Sequence, residues 1–511
     1  MPPDGIRLWP EDDANRALLQ NVHPPNWVNP RPSGRYNLVV IGAGTAGLVT
    51  AAIAAGLGAK VALIEKHLMG GDCLNVGCVP SKGLIAASRA WTAARDAERF
   101  GVSVSEVRRD FGAAMARMRT LRARISANDS ARRFTTLGVD VYLGEARFVE
   151  PGTIEVAGAR LSYKKAALCT GARAAAPEIP GLEEAGYRTN ETLFSLTELP
   201  RRLAVIGAGP IGCEMAQAFA RFGSTVTVLE RMSRILPRED LDAADIVRNR
   251  MQHDGVEFVF DAAIVRIDRR AAEKILAYRA NGATKELAVD EILIGVGRAP
   301  NVEGLGLDRV GVRYDPREGI AVNARLQTSH PDIFAAGDVC SRYKFTHAAD
   351  AMAQIVIQNA LFPHPIGLGY ANADALIMPW CTYTEPELAH VGLYEGDARK
   401  RGLDVETYTY ALNEVDRAIL DGTEDGFVRL HVQTRSDRIL GASIVAPHAG
   451  EMIAEIGALM QAGGGVKTLL ATIHPYPTHA EAIKKAGVLW RKAHFSERQK
   501  RMLARWFQWI R

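Results

Sequence analysis

Cysteine is scarce: six in 511 residues, far too few for a disulfide scaffold. An excess of either charge is missing too. Lys and Arg total 62 against 58 Asp and Glu, a net charge of +4, so the chain as a whole is no polycation seeking nucleic acid or acidic membrane. The opening MPPDGIRLWPEDDANR lacks the basic-then-apolar pattern of a signal peptide. One uncharged run, the 22 residues from Leu38 to Ala59, is long enough to span a bilayer. It starts β-branched, breaks at Gly42 and Gly44, turns Ala-rich and leads into KVALIE. That is strand, turn, helix and strand inside a soluble domain, and the cytoplasm is the expected location. Apolar residues at 47% and charged residues at 23% exclude a disordered or fibrous protein.

What is present is length, glycine and a repeat. At roughly 150 residues per domain the chain holds three to four domains. Glycine, 47 residues, exceeds the roughly 7% norm and suggests several phosphate-type turns. GAGTAG at Gly42, Gly44 and Gly47 follows VVI and precedes an Ala-rich helix. GAGPIG at Gly207, Gly209 and Gly212 follows LAVI and precedes another. Each unit ends on an acid closing a strand, Glu65 or Glu230, 23 residues after its first Gly. This is a doubled dinucleotide fingerprint: glycines for the turn, the backbone approach and the helix–strand packing, a helix N-terminus for phosphate, an acid for the ribose. Two such sites imply two dinucleotides, and a flavin with a nicotinamide is the natural pair for an electron relay. Glu230 repels a 2′-phosphate and favours NADH; Arg231 and Arg234 keep NADPH open.

Between the two copies lies GGDCLNVGCVPSK, Gly70 to Lys82. Its C-x4-C spacing is not that of a zinc site. A helix starting near Cys78 lowers that thiol's pKa, as charge transfer to a flavin requires. The segment resembles the active-site signature of class I pyridine nucleotide–disulfide oxidoreductases, and the similarity runs from about residue 36 to 488. The resemblance implies an α/β, glutathione-reductase-like fold. It has two Rossmann-type dinucleotide-binding domains and a C-terminal α+β dimerisation domain, assembled as a homodimer. The expected boundaries are an N-terminal extension lying on the surface (1–34), an FAD domain with its central part (35–171 and 299–370), an NAD(P) domain (172–298), a dimerisation domain (371–489) and a basic amphipathic tail (490–511). Cys78 resembles the thiolate beside the flavin and Cys73 the interchange thiol facing substrate. Lys82 resembles the lysine near flavin N5, with Glu214 as its ion-pair partner. Asp338 resembles the ribityl-binding Asp of the second FAD motif. Thr170-Gly171 and the GVGR run containing Gly297 resemble the two crossovers. Lys66, Gly71, Asp72, Ala146 and Ala349 are placed at the FAD by the same resemblance.

The pattern also breaks. Disulfide-reducing members carry a His-Pro-Thr run and a Glu; here HPYPTHAE retains Glu481 but puts Tyr476 at the His position. A phenol with a pKa near 10 is a poor proton shuttle. His474 and His479 are nearby candidates, expected instead to be surface or core-edge histidines. Tyr at this place resembles mercuric-reductase-like members, whose acceptor is a metal ion. A metal-carrier domain and a vicinal C-terminal Cys pair are both missing from that pattern, and Asp72 stands where Thr is usual. No resident metal site is expected. Cys169, Cys213 and Cys340 read as buried structural thiols; Cys381 is a lesser redox candidate. A dihydrolipoamide dehydrogenase, or another disulfide or quinone reductase, is the enzymatic alternative; a redox-sensing or membrane-docking flavoprotein with little turnover is the alternative of another class.

Two basic segments remain. Arg117, Arg119, Arg122, Arg124, Arg132 and Arg133 fall between Asp110 and Phe134 with no aromatic interleaving, which reads as a solvated helix face rather than a nucleic-acid site. The tail carries Arg491, Lys492, Arg498, Lys500, Arg501, Arg505 and Arg511 with Trp490, Phe495, Leu503, Trp506, Phe507 and Trp509. Packing on its own dimer is the expected fate of that tail, with peripheral membrane contact as the other.

Overall fold

The computed structural model describes residues 6–511. Its contacts divide the chain into two units. One comprises the chain up to Ala208, Ala218–Arg231 and Glu257–Leu376; the other comprises Gly209–Gln217, Met232–Val256 and Ile377–Arg511.

The first unit is built on the strand Arg35–Ile41, whose last four residues are all buried, the signature of a central parallel strand. It pairs in parallel with Val61–Glu65 and Ala159–Leu168, and Val139–Leu143 extends the sheet. Ile333–Ala335 joins Ala159–Leu168 in parallel, and the antiparallel strands Ala146–Glu150 and Thr153–Val156 continue beyond it. Leu38 and Val40 pack in one cluster with the helices Thr45–Gly56 and Thr346–Leu361; Val39 and Ile41 point into another. A second sheet pairs Arg202–Ile206 in parallel with Thr225–Leu229 and with Glu291–Ile294. Three antiparallel strands, Ala263–Arg270, Glu273–Ala280 and Ala283–Val289, precede the last of these.

The second unit holds a five-stranded antiparallel sheet in the order Pro379–Thr382, Glu387–Gly392, Ile439–Ala446, Phe427–Gln433, Val405–Ala411. The helices Ala449–Gln461 and Glu481–Ala493 bury Ile453, Ile456, Ile483 and Ala486 in its core. Among the described residues no helix is long and apolar enough to cross a membrane.

The N-terminal extension is not a surface strap. Its helix Asp13–Val22 sends Leu18 and Val22 into the core beside Leu38 and Val40, and packs on the helix Phe111–Ser126. Asn29 exchanges two hydrogen bonds with the backbone of Leu143, and the Trp27 indole donates to the Val141 carbonyl. This also corrects the reading of the basic helix. Arg119 and Arg122 are buried, whereas Arg117, Arg124, Arg132 and Arg133 are exposed. Arg119 pairs with Asp12 at 2.5 Å; Arg122 donates to Asn15 and to the Asn75 carbonyl, each at 2.7 Å. Burial and the neighbouring Arg119 push the Arg122 guanidinium down to about 10. Leu18, Leu19 and Val22 among Pro, Asn and charge were too weak a signal to reveal a packed helix.

Asp12 has two roles: it caps the helix by accepting from the Asn15 amide at 2.8 Å, and it neutralises Arg119. Asp12→Ala is expected to lower stability by about 2–4 kcal/mol, cap and buried partner lost together. A shift of the urea midpoint at unchanged slope is the readout; an unshifted midpoint would show that Arg119 finds another partner.

Candidate redox site

The two fingerprint units fold with the same internal tether. The Glu65 carboxylate accepts from the Ala43 amide at 2.7 Å, and the Glu230 carboxylate accepts from the Ala208 amide at 2.6 Å. Each acid therefore fixes the second residue of its own glycine loop. Glu65 accepts from the His67 amide as well, at 2.8 Å, and burial pushes its pKa up; the exposed Lys66 lies between. Gly44 caps the helix Thr45–Gly56, while Gly209 and Gly212 lie at the start of the helix Pro210–Phe222. A Cβ on Gly47 would stand 1.8 Å from the Gly42 carbonyl oxygen, so helix and turn touch backbone to backbone there. The exposed Arg231 follows Glu230.

The thiol segment is seated on the first loop. Gly70 donates its amide to the Ala43 carbonyl at 2.8 Å. Gly71, at φ +55°, lies so near Gly44 that an added Cβ would meet its Cα at 2.7 Å. A short helix, Gly71–Asn75, then carries Cys73, and a long one, Cys78–Arg95, starts at Cys78 itself. Cys78 is exposed and Cys73 half-buried. They interact directly: a hydrogen bond to Cys78 is the largest cause pushing the Cys73 thiol up, with burial second. Cys73 is thus held as the protonated donor and Cys78, at the helix N-terminus, as the acceptor. Lys82 stands one turn on, along the same helix face as Cys78. Thr346 escaped the sequence reading altogether. Its hydroxyl lies 3.4 Å from the Cys78 sulfur, at the first residue of the helix Thr346–Leu361, and also bonds Cys73. A lone Thr after an aromatic carries no motif that could have revealed it.

The crossover segments meet. Ala172–Ala174 pairs antiparallel with Arg298–Pro300. Asn301, also unforeseen, ties Thr170 and Gly171: it accepts from the Thr170 hydroxyl at 2.7 Å through its carbonyl and donates back through its amides at 2.9 and 3.0 Å. Arg298, next to Gly297, bonds Asp72 and has its Nε 3.5 Å from Asp338. The unusual Asp72 thereby acquires a counter-charge, and Arg298 bridges the thiol segment to the second FAD motif. Burial raises Asp338, opposed by Arg298 and Lys344. Ala349 and Ala46 sit beside Gly337 on the two packed helices. Ala146 opens the strand Ala146–Glu150, three residues past Leu143, the register partner of Glu65.

In the second unit Glu214 is buried and accepts from the Tyr383 amide at 3.0 Å. Tyr476 is 69% exposed, and its hydroxyl donates to Asp416 at 2.7 Å. That hydrogen bond to a carboxylate raises the phenol further, away from proton shuttling. Glu481 pairs with Lys485 at 3.1 Å and lines a small cleft with Glu414, Asp416 and Tyr476. His474 is buried against Glu455 at 2.8 Å. His479 bonds Thr423 at 3.1 Å, and burial lowers its pKa. Cys169 and Cys213 are buried, and burial pushes the Cys169 thiol up to about 12. Cys381 is half-buried, 3.9 Å from Glu387.

A family model described as pyridine nucleotide-disulphide oxidoreductase matches residues 36–353, and its dimerisation domain matches 378–487. The chain belongs to the class I pyridine nucleotide–disulfide oxidoreductases. Members use FAD and NAD(P)H, and the dimerisation domain supports a homodimer. A mercuric reductase of Lysinibacillus sphaericus is 34% identical over 89% of this chain and 83% of its own length. A dihydrolipoyl dehydrogenase of Geobacillus stearothermophilus is also 34% identical, over 88% and 95%. Among solved structures, a Cu(II) complex of the HOCl-induced flavoprotein disulfide reductase RclA from Escherichia coli aligns with TM-score 0.78 and 30% identity, over 88% of this chain and 98% of that one.

Both glycine loops, with their tethered acids and a buried Arg298 Nε that makes no hydrogen bond, its nearest acid Asp338 standing at 3.5 Å, suit the phosphates and riboses of dinucleotides. The residues present therefore fit the family's cofactors.

Proposed function

We propose that this oxidoreductase passes electrons from NAD(P)H to a soft metal ion bound at the Cys73–Cys78 pair, in the manner of a mercuric reductase. When bound, FAD supplies the relay from a two-electron hydride donor to the cysteine pair. FAD would be held by Gly42, Gly44, Gly47, Glu65, Gly71, Thr170 and Asp338; the nicotinamide cofactor by Gly207, Gly209, Gly212 and Glu230. A flavin held there would cover Cys78, the more exposed thiol, and leave Cys73 to the acceptor. The cysteine pair takes up two electrons and one proton as it opens from a disulfide to a Cys73 thiol and a Cys78 thiolate. The Thr346 hydroxyl lies within hydrogen-bond reach of the Cys78 sulfur, where either group can donate, and so helps position the pair.

The carrying observation is Tyr476, whose hydroxyl is engaged with Asp416 at the position where disulfide-reducing relatives keep an acid/base His. Releasing a thiol from a disulfide substrate needs a proton at that place; reducing a thiolate-bound soft cation does not. Two thiolates suit Hg(II) or Cu(I)-type ions, and the copper-bound solved relative accords with such an acceptor. The test is NAD(P)H oxidation by the purified flavoprotein with Hg(II), Cu(II), lipoamide and a quinone, and Cys73→Ser as control. Stimulation by a soft ion, abolished in the control, supports the reading. Turnover with lipoamide but with neither metal refutes it in favour of a lipoamide dehydrogenase; no stimulation at all points to a sensing or docking flavoprotein.

Glu230 gives the coenzyme preference. Removing its charge frees the Ala208 amide and leaves Arg231 and Arg234 for a 2′-phosphate. Glu230→Ala is expected to shift the ratio of kcat/KM toward NADPH by about ten-fold. An unchanged ratio would place the ribose elsewhere.

A further inference from the structure

We infer that the terminal helix Glu497–Trp509 is a docking element for an anionic phospholipid surface. The helix is self-starting: the Ser496 hydroxyl accepts from the Gln499 amide at 3.2 Å, and the Gln499 side chain accepts from the Ser496 amide at 2.8 Å. Its two faces separate cleanly. Met502, Trp506 and Trp509, with Leu503, Phe507 and Ile510, recur at spacings of three and four and form one apolar stripe. Arg498, Arg501, Arg505, Lys500 and Arg511 take the other side and its flanks. Every residue from 497 to 511 is exposed, with Trp506 at 51% and Trp509 at 77%. The rings of Trp506 and Trp509 lie 5.1 Å apart on the same face.

Charge selects the occupant. Five cations stand against one acid, Glu497, and Arg491 and Lys492 end the helix before it. A surface shared between two copies of this chain would bring those cations together across the contact, at a repulsive cost. An anionic leaflet attracts them instead, while Trp, Phe and Leu settle at the headgroup boundary. The segment also lies beyond the catalytic body: the family match stops at residue 487, and the full length of RclA is covered by 89% of this chain. Docking is therefore separable from electron transfer and independent of which acceptor is used.

The experiment is co-sedimentation of the full-length, FAD-loaded protein with vesicles of phosphatidylcholine, with or without about 30% phosphatidylglycerol. The mixed vesicles are expected to bind at least about ten-fold more tightly at low salt, weakening as salt rises. Trp506→Ala/Trp509→Ala removes the apolar anchor, and Arg498→Glu/Arg501→Glu/Arg505→Glu reverses the charge. Each is expected to abolish binding while turnover with a soluble acceptor stays unchanged. Equal sedimentation of wild type and both variants would overturn the proposal. So would conversion of a dimer to a monomer by Trp506→Ala/Trp509→Ala in sedimentation velocity, which would assign the stripe to a second copy.

Discussion

Cys78→Ser is expected to leave a folded, flavin-loaded protein whose acceptor-dependent NAD(P)H oxidation falls by about 10³-fold or more. The two sulfurs are in direct hydrogen-bond contact, one pushed up as donor and the other at a helix N-terminus. They act as a unit, so Cys73→Ser and the double replacement should cost about as much as Cys78→Ser alone. A serine hydroxyl neither closes a disulfide nor accepts an electron pair. Ferricyanide, which can take electrons directly from reduced flavin, should retain its rate in all three variants. Parallel loss with ferricyanide would mean that the replacement damaged flavin binding. Retention of full activity with every acceptor would remove the cysteine pair from the electron path.

The second large effect is structural. Gly47→Ala places a methyl 1.8 Å from the Gly42 carbonyl oxygen and 3.4 Å from Val40. The first contact is with backbone, which cannot rotate away as a side chain could. Either the turn opens or the helix Thr45–Gly56 lifts off the sheet, and both displace the loop amide that Glu65 holds. The expected cost is about 3 kcal/mol or more, with most of the flavin absent from the purified protein. Gly56→Ala is the control. It ends the same helix, nothing lies within 4 Å of its added Cβ, and helix propensity favours alanine by up to about 1 kcal/mol. The flavin-to-protein absorbance ratio and the thermal midpoint should fall for Gly47→Ala and hold for Gly56→Ala; equal behaviour of the two would refute the close-approach argument.

The repeated parts of the molecule were legible because they repeat. Two strand–loop–helix–strand–acid units at one spacing announced two parallel sheets, and the structure shows the same amide tether in both. The helix beginning at Cys78 was legible from Gly, Pro and Ser at fixed positions around it. What escaped reading is long-range. Thr346 is 268 residues from Cys78 in sequence, and Asn301 is 131 from Thr170. Nothing local distinguishes either side chain from a neutral loop residue. Asp72 was visible as a departure, but its partner Arg298 emerged only once the crossovers were folded against the thiol segment. Arg119 and Arg122 misled in the opposite sense: burial of a cation is decided by the carboxylate and carbonyls that meet it, not by its neighbours in the chain.

The stitched helix Asp13–Val22 makes the two ends of this molecule unequal. Trimming the front to the start of the family match would strip a wall from the compartment that backs the first glycine loop and bare Leu38 and Val40. Shortening the back after Phe495 would remove only exposed residues and keep His494 stacked on the buried Trp490. Purification handles and fusion partners accordingly belong where the polypeptide finishes, and a minimal catalytic version of this enzyme must keep its first helix.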